Sequence, residues 1–96
     1  MTAVIWPSDG DDNYNLTTLG LIGPTTIGLL VQNSGLTVSL QVRGDPSYPW
    51  ASAMPPGLTN LSNVLTYVHI ARGFQYRLYA SAGIPAEDIA ISFATV

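Results

Sequence analysis

Ninety-six residues make one domain, and a body of that size buries only about 60–65% of the surface its unfolded chain exposes, yet 47% of this chain is hydrophobic and only 9% is charged. A small free-standing domain normally keeps roughly a quarter or more of its surface charged, so the surplus of apolar strand formers is expected to find cover on other protein. Three arginines, no lysine and a net charge of −3 remove the electrostatic term that drives nucleic-acid binding and disfavour anionic membranes, and the lack of cysteine excludes disulfides, thiolate metal sites and cysteine nucleophiles.

Residues 1 to 15 read as an N-terminal arm. Val4-Ile5-Trp6 has the composition of a short strand, and then Pro7, Gly10 and the run from Asp9 to Asn15, which holds half of the acidic charge, break regular structure. Apolar residues return from Leu16 to Ile22 as a weak strand that Gly23-Pro24 closes with a turn. Ile27, Leu29 and Val31 alternate with Gly28, Leu30 and Gln32, and Asn33-Ser34-Gly35 supplies a tight reversal. Leu36, Val38, Leu40 and Val42 then point one way and Thr37, Ser39, Gln41 and Arg43 the other, the period of a sheet with one packed face. These two runs are expected to form a hairpin.

Residues 44–63 hold four of the seven prolines, and regular strand pairing is not expected through them. One helical turn over Thr59 to Leu65 is the only helical feature foreseen. Val64, Thr66, Val68 and Ile70 alternate with Leu65, Tyr67, His69 and Ala71, and Phe74, Tyr76, Leu78 and Ala80 with Gln75, Arg77, Tyr79 and Ser81. These two strands again read as neighbours around Arg72-Gly73. After a turn at Ala82-Gly83-Ile84-Pro85, the residues Ile89, Ile91, Phe93 and Thr95 form a last strand. The pattern predicts an all-β chain, an antiparallel β-sandwich of jelly-roll or Ig-like type. It has six to seven short strands, with an N-terminal arm and first strand over 1–25 and a sandwich domain over 26–96. The most apolar stretch, Leu19 to Val31, is broken by Gly20, Gly23, Pro24 and Gly28, short of the roughly 20 residues that span a bilayer. No basic segment precedes an apolar run near the N-terminus, so synthesis and assembly in a cytoplasm are expected.

Catalytic chemistry finds few residues to use. The one histidine, His69, lies in mid-strand on the less apolar face beside Tyr67 and reads as a subunit-contact imidazole. With no cysteine and one histidine there are too few ligands for a zinc site, so neither enzymatic activity nor a cofactor is expected. Asp9-Gly10-Asp11-Asp12-Asn13 offers oxygen ligands but lacks the spacing and closing glutamate of a helix-loop-helix calcium site, and it reads as a solvated loop. The aromatic residues are the stronger candidates. Trp6, Tyr48, Trp50, Tyr67 and Tyr79, with His69 and with Arg77 placed to stack on a ring, are the kind of side chains that anchor protein interfaces. Tyr48-Pro49-Trp50 also suits stacking on a sugar, so a glycan-binding module is the competing reading.

The block Gly73-Phe74-Gln75-Tyr76-Arg77-Leu78-Tyr79-Ala80-Ser81-Ala82-Gly83, an aromatic strand running into a small-residue turn and a last apolar strand, resembles small phage virion proteins in general character. The resemblance extends from about Thr26 to Val96 and takes in the preceding hairpin, the loop bearing Trp50 and Thr59-Asn60-Leu61-Ser62. It implies a structural virion subunit without catalysis, most simply a capsid decoration or cement protein that contacts itself as a trimer or other homo-oligomer and the major capsid protein or another virion protein. A tail or head-fibre component, or a host-attachment module, is the alternative it leaves. Neither nucleic acid nor membrane is among the expected partners.

Overall fold

The computed structural model describes residues 2–6, 13–19, 21, 23–80 and 89–96. Within them the chain forms eight strands: β1 Thr2–Trp6, β2 Asn13–Asn15, β3 Thr25–Gln32, β4 Val38–Arg43, β5 Ala51–Ser52, β6 Thr66–Ile70, β7 Gln75–Ala80 and β8 Ile89–Thr95. They build two four-stranded antiparallel sheets, β1-β8-β3-β6 and β2-β7-β4-β5. The sheets face one another as a β-sandwich. Ile27, Leu29 and Val31 of β3, Val38 and Leu40 of β4, Leu78 of β7 and Ile89 and Ile91 of β8 fill the space between them at no more than 1% exposure. Each aliphatic side chain so buried contributes about 1.5–3 kcal/mol, which is how a chain without disulfides closes so small a domain.

The alternation read from the sequence locates the inward faces of β4, β6, β7 and β8, but the pairing differs from the expected hairpins. β3 and β4 lie in opposite sheets, as do β6 and β7. Both members of each pair send their apolar positions into the same core, but from opposite sides of it, so the chain turns a corner instead of folding back within one sheet. Asn33 holds the first corner, its Oδ1 accepting from the N–H groups of Gly35 (3.0 Å) and Leu36 (2.8 Å). Gly35 sits at φ 109° and Gly73, in the second corner, at φ 91°, where a side chain is strained.

The N-terminal arm is replaced by structure. β1 pairs with β8 in the register Thr2↔Phe93 to Trp6↔Ile89, and β2 pairs with β7, so the first 25 residues supply two of the eight strands. Val4 and Trp6 face inward, and the core value of the Trp6 ring outweighs the turn formers that follow it. The segment from Leu16 is a 3-10 turn over Leu16–Leu19 rather than a strand. Asn15 Oδ1 accepts from the Thr17 N–H (3.0 Å) and is bonded by the Thr17 hydroxyl (2.9 Å), and Leu16 is buried.

The proline-bearing stretch does enter a sheet, through the two residues of β5 paired with Gln41 and Val42. Beyond it the chain crosses the end of the sandwich instead of making a helical turn. Val31 bridges Ser62 in parallel, and Asn63 takes φ 59°. Asn60 Oδ1 accepts from the N–H groups of Val38 (3.0 Å) and Ser62 (2.9 Å), and the Asn63 side chain brackets the Asn33 backbone, accepting at 3.1 Å and donating at 2.9 Å. Leu61, at 1% exposure, plugs the core beneath this crossing.

Candidate functional site

Two outer faces of contrasting chemistry follow from this topology. The strands of the first sheet, β1, β8, β3 and β6, contain no Asp, Glu, Lys or Arg at all. Their outward positions are Ala3 and Ile5, Ala90, Ser92 and Ala94, Thr26, Gly28, Leu30 and Gln32, and Tyr67 and His69, brought into rows by the registers Ala3↔Ser92↔Leu30 and Ala94↔Gly28↔Tyr67. Ile5 is 55% exposed, Tyr67 63%, Leu65 57% and the rim residue Val96 82%. A trough of about 420 Å³ on this face is lined by Leu65, Tyr67, Ala94 and Val96 and by Gly28 and Leu30 of β3, with Gly28 paired between Tyr67 and Ala94. His69 Nδ1 lies 3.1 Å from Thr26 Oγ1 on the neighbouring strand.

The outer face of the second sheet is polar and carries two of the three arginines. Ser39, Gln41 and Arg43 of β4 and Gln75, Arg77 and Tyr79 of β7 point outward, in the register Gln41↔Arg77 and Arg43↔Gln75. Arg43 Nε donates to Gln75 Oε1 (2.7 Å) and Arg77 Nε to Gln41 Oε1 (2.6 Å), so each glutamine fixes the plane of the arginine opposite it. Both guanidinium carbons sit over the Trp50 ring, at 4.3 Å and 4.4 Å from its centroid, and Arg77 also lies 5.7 Å from the Tyr79 ring. The negative face of the indole offsets part of the repulsion between the two cations. Beside them Asp45 accepts from the Ser47 hydroxyl (2.6 Å) and N–H (2.9 Å). Those two bonds, helped by the charge of Arg43, hold its carboxyl below the ordinary aspartate range.

A third feature is the end of the sandwich where the β4–β5 and β6–β7 connections meet. Tyr48, 64% exposed, and Phe74, 52% exposed, flank a hollow of about 460 Å³ with Val42, Pro49 and Ala51.

The sequence-derived interface residues are therefore divided among separate places. Tyr67 and His69 share the uncharged face, while Trp50, Arg77 and Tyr79 share the polar one. Tyr48 stands at the loop end. Trp6 is a correction: at 1% exposure it belongs to the core, its ring 5.7 Å from that of Tyr14, and it has no surface to offer a neighbour. Arg43 and Gln75, which complete the stack, and Leu30, Leu65 and Ala94, which shape the trough, were not singled out. The signal for the second group was available in the unbroken lack of charge across four strands. The signal for the first was not, because it needs the register of β4 against β7.

Among the described residues no group of three or more His, Asp or Glu side chains is placed to hold a metal ion, and no helix is long and apolar enough to cross a membrane. The acidic run from Asp9 to Asp12 lies outside the described residues. Comparison with protein-family models, with curated proteins and with solved structures gives no match.

Proposed function

We propose that this chain is a virion structural subunit, a capsid decoration or cement protein that acts through the uncharged outer face of its first sheet. The observation that carries the reading is that four whole strands lack a single charged residue while Ile5 and Tyr67 stand exposed on them and Leu65 just before β6. An uncharged sheet face with large hydrophobic side chains exposed on it is a liability on a free monomer and an asset in an assembly. It offers no counter-charge to a charged partner, so it fits an equally uncharged surface, that of another copy of the chain, and the oligomer so formed is what seats on the shell. Contacts made only in the assembled state stabilise that state by mass action, with no catalytic step.

The strand order favours the jelly-roll form of the sandwich. All connections but that between β4 and β5 cross from one sheet to the other, the winding of two Greek keys that viral capsid and lectin domains use. An immunoglobulin-type arrangement keeps more of its successive strands side by side. The competing host-attachment reading needs an open tryptophan face for a pyranose ring, and both guanidinium groups already occupy the Trp50 ring.

Ala94→Glu tests the proposal, because Ala94 is exposed and a carboxylate there places one charge in the trough. The variant is expected to keep the circular dichroism and melting of the parent and to lose its occupancy on purified shells, with no retention of either protein on a glycan array. Full occupancy by the glutamate variant, or glycan retention that Tyr48→Ala abolishes, contradicts it.

A further inference from the structure

We propose that the pocket beside the β6–β7 connection binds a small apolar monocarboxylate, with the carboxylate on Arg72 and Tyr76. The site shares no residue with the assembly face and is independent of that reading. The pocket has a volume of about 230 Å³, and Leu16, Ile70 and Phe74 line it together with Gly23, Arg72 and Tyr76. Clefts that enclose a drug-sized molecule run to roughly 300–1,000 Å³, so this one suits a body the size of a single side chain.

Two polar groups of the pocket have hydrogen-bonding capacity left to use. Arg72 is exposed, and its Nε donates to the Gly23 carbonyl oxygen (3.3 Å). That bond orients the guanidinium, while its two terminal nitrogens have no partner among the described residues. Tyr76, at 8% exposure, accepts from the Ala71 N–H at its hydroxyl oxygen (3.0 Å), and its own O–H has no acceptor among the described residues. A buried hydroxyl that accepts one bond still has a donor to place. The chain brings the two groups together: the Tyr76 hydroxyl sits on the residue before Arg72, and Gly23 packs against the backbone of residues 70–72 too closely to admit a Cβ. A guanidinium fork beside a phenol suits an oxyanion. Asp45, the one acid among the described residues, is held by Ser47 in a different turn, so no described carboxylate neutralises Arg72. The apolar walls raise the cost of each charge brought in, and one arginine balances one negative charge, which selects a carboxylate over a phosphate dianion. Such a group is the terminal residue of a peptide or a free short-chain acid.

Two-dimensional NMR of the 96-residue chain tests the site, following the Arg72 Nε–H and the Ala71 and Gly73 amides while sodium chloride is exchanged for ligand at constant ionic strength. The probes are N-acetyl-leucine, hexanoate, N-acetyl-leucine amide, acetate and hexyl phosphate. Saturable shifts with N-acetyl-leucine or hexanoate are expected, on the order of tenfold tighter than with the uncharged amide or with acetate, which lacks the apolar body. Arg72→Gln, at an exposed position, is expected to keep the fold and weaken binding on the order of tenfold, and Tyr76→Phe to weaken it about threefold; the glutamine variant decides alone if the phenylalanine variant fails to fold. Saturation by N-acetyl-leucine alone assigns a peptide terminus, by hexanoate alone a free acid, and by both a site that reads the body and the carboxylate and nothing between them. Absence of saturation with either carboxylate, equal binding of the amide or acetate, tighter binding of hexyl phosphate, or undiminished binding by Arg72→Gln overturns the proposal.

Discussion

At the scale of single residues, the fold uses a few side chains in ways that composition does not announce. Trp6 reads from the sequence as an interface anchor because it is aromatic, but its register against Ile89 places it in the core. Gly23 was read as part of a turn, and it is required by crowding: a Cβ there meets the Ile70 carbonyl oxygen at 2.5 Å and the Ala71 and Arg72 backbone at 2.8 Å. Thr66 faces inward at 8% exposure, and its hydroxyl oxygen is buried without a hydrogen-bond partner. Valine has the same shape and no such group to desolvate. Thr66→Val is therefore expected to raise stability by about 1 kcal/mol, read as a higher urea midpoint at unchanged m-value. A lower midpoint would mean that the hydroxyl is satisfied.

At the scale of elements, what the sequence makes legible is which face of each strand is inside. Leu40, Val68, Leu78 and Ile91 fall on the buried faces that the period of two assigns them. Which strand lies beside which is not legible in the same way. Asn33-Ser34-Gly35 gives the same turn signal whether the chain returns within a sheet or crosses to the other one, and Ile27 and Leu40 share a core in either case, so the period of two does not distinguish them. β2 and β5, with three and two residues, are too short to show any period. The region from Pro55 to Leu65 hid its role for another reason: it is fastened by side-chain amides rather than by a strand ladder. Asn60 carries the greatest share of that fastening, as acceptor for both Val38 and Ser62. Replacing Asn60 by alanine leaves a core strand N–H without its acceptor and is expected to cost about 1–3 kcal/mol. Chemical denaturation checks the magnitude, and faster hydrogen exchange at Val38 checks the cause; an unchanged midpoint would place the fastening elsewhere.

At the scale of the whole molecule, the contrast between the two sheets is the property that organises the account. The stacked arginines and the glutamines that orient them lie on one outer face, and the other presents alanine, serine, glycine, leucine and tyrosine without a charge. The low charge of the chain, visible at once in its composition, thus becomes a one-sided surface when the strands are sorted into sheets. Composition alone gives the surplus of apolar surface; the strand order gives its location. The assembly role proposed above rests on that asymmetry, because a subunit of that kind must be dry where it is covered and wet where it is not.

Sedimentation equilibrium of the purified chain beside the Ala94→Glu variant tests this claim most directly. The parent is expected to sediment as a defined multiple of the 10.2 kDa chain, and the variant, equally folded, as a single chain. A parent that remains a single chain at every concentration, indistinguishable from the variant, would contradict the account.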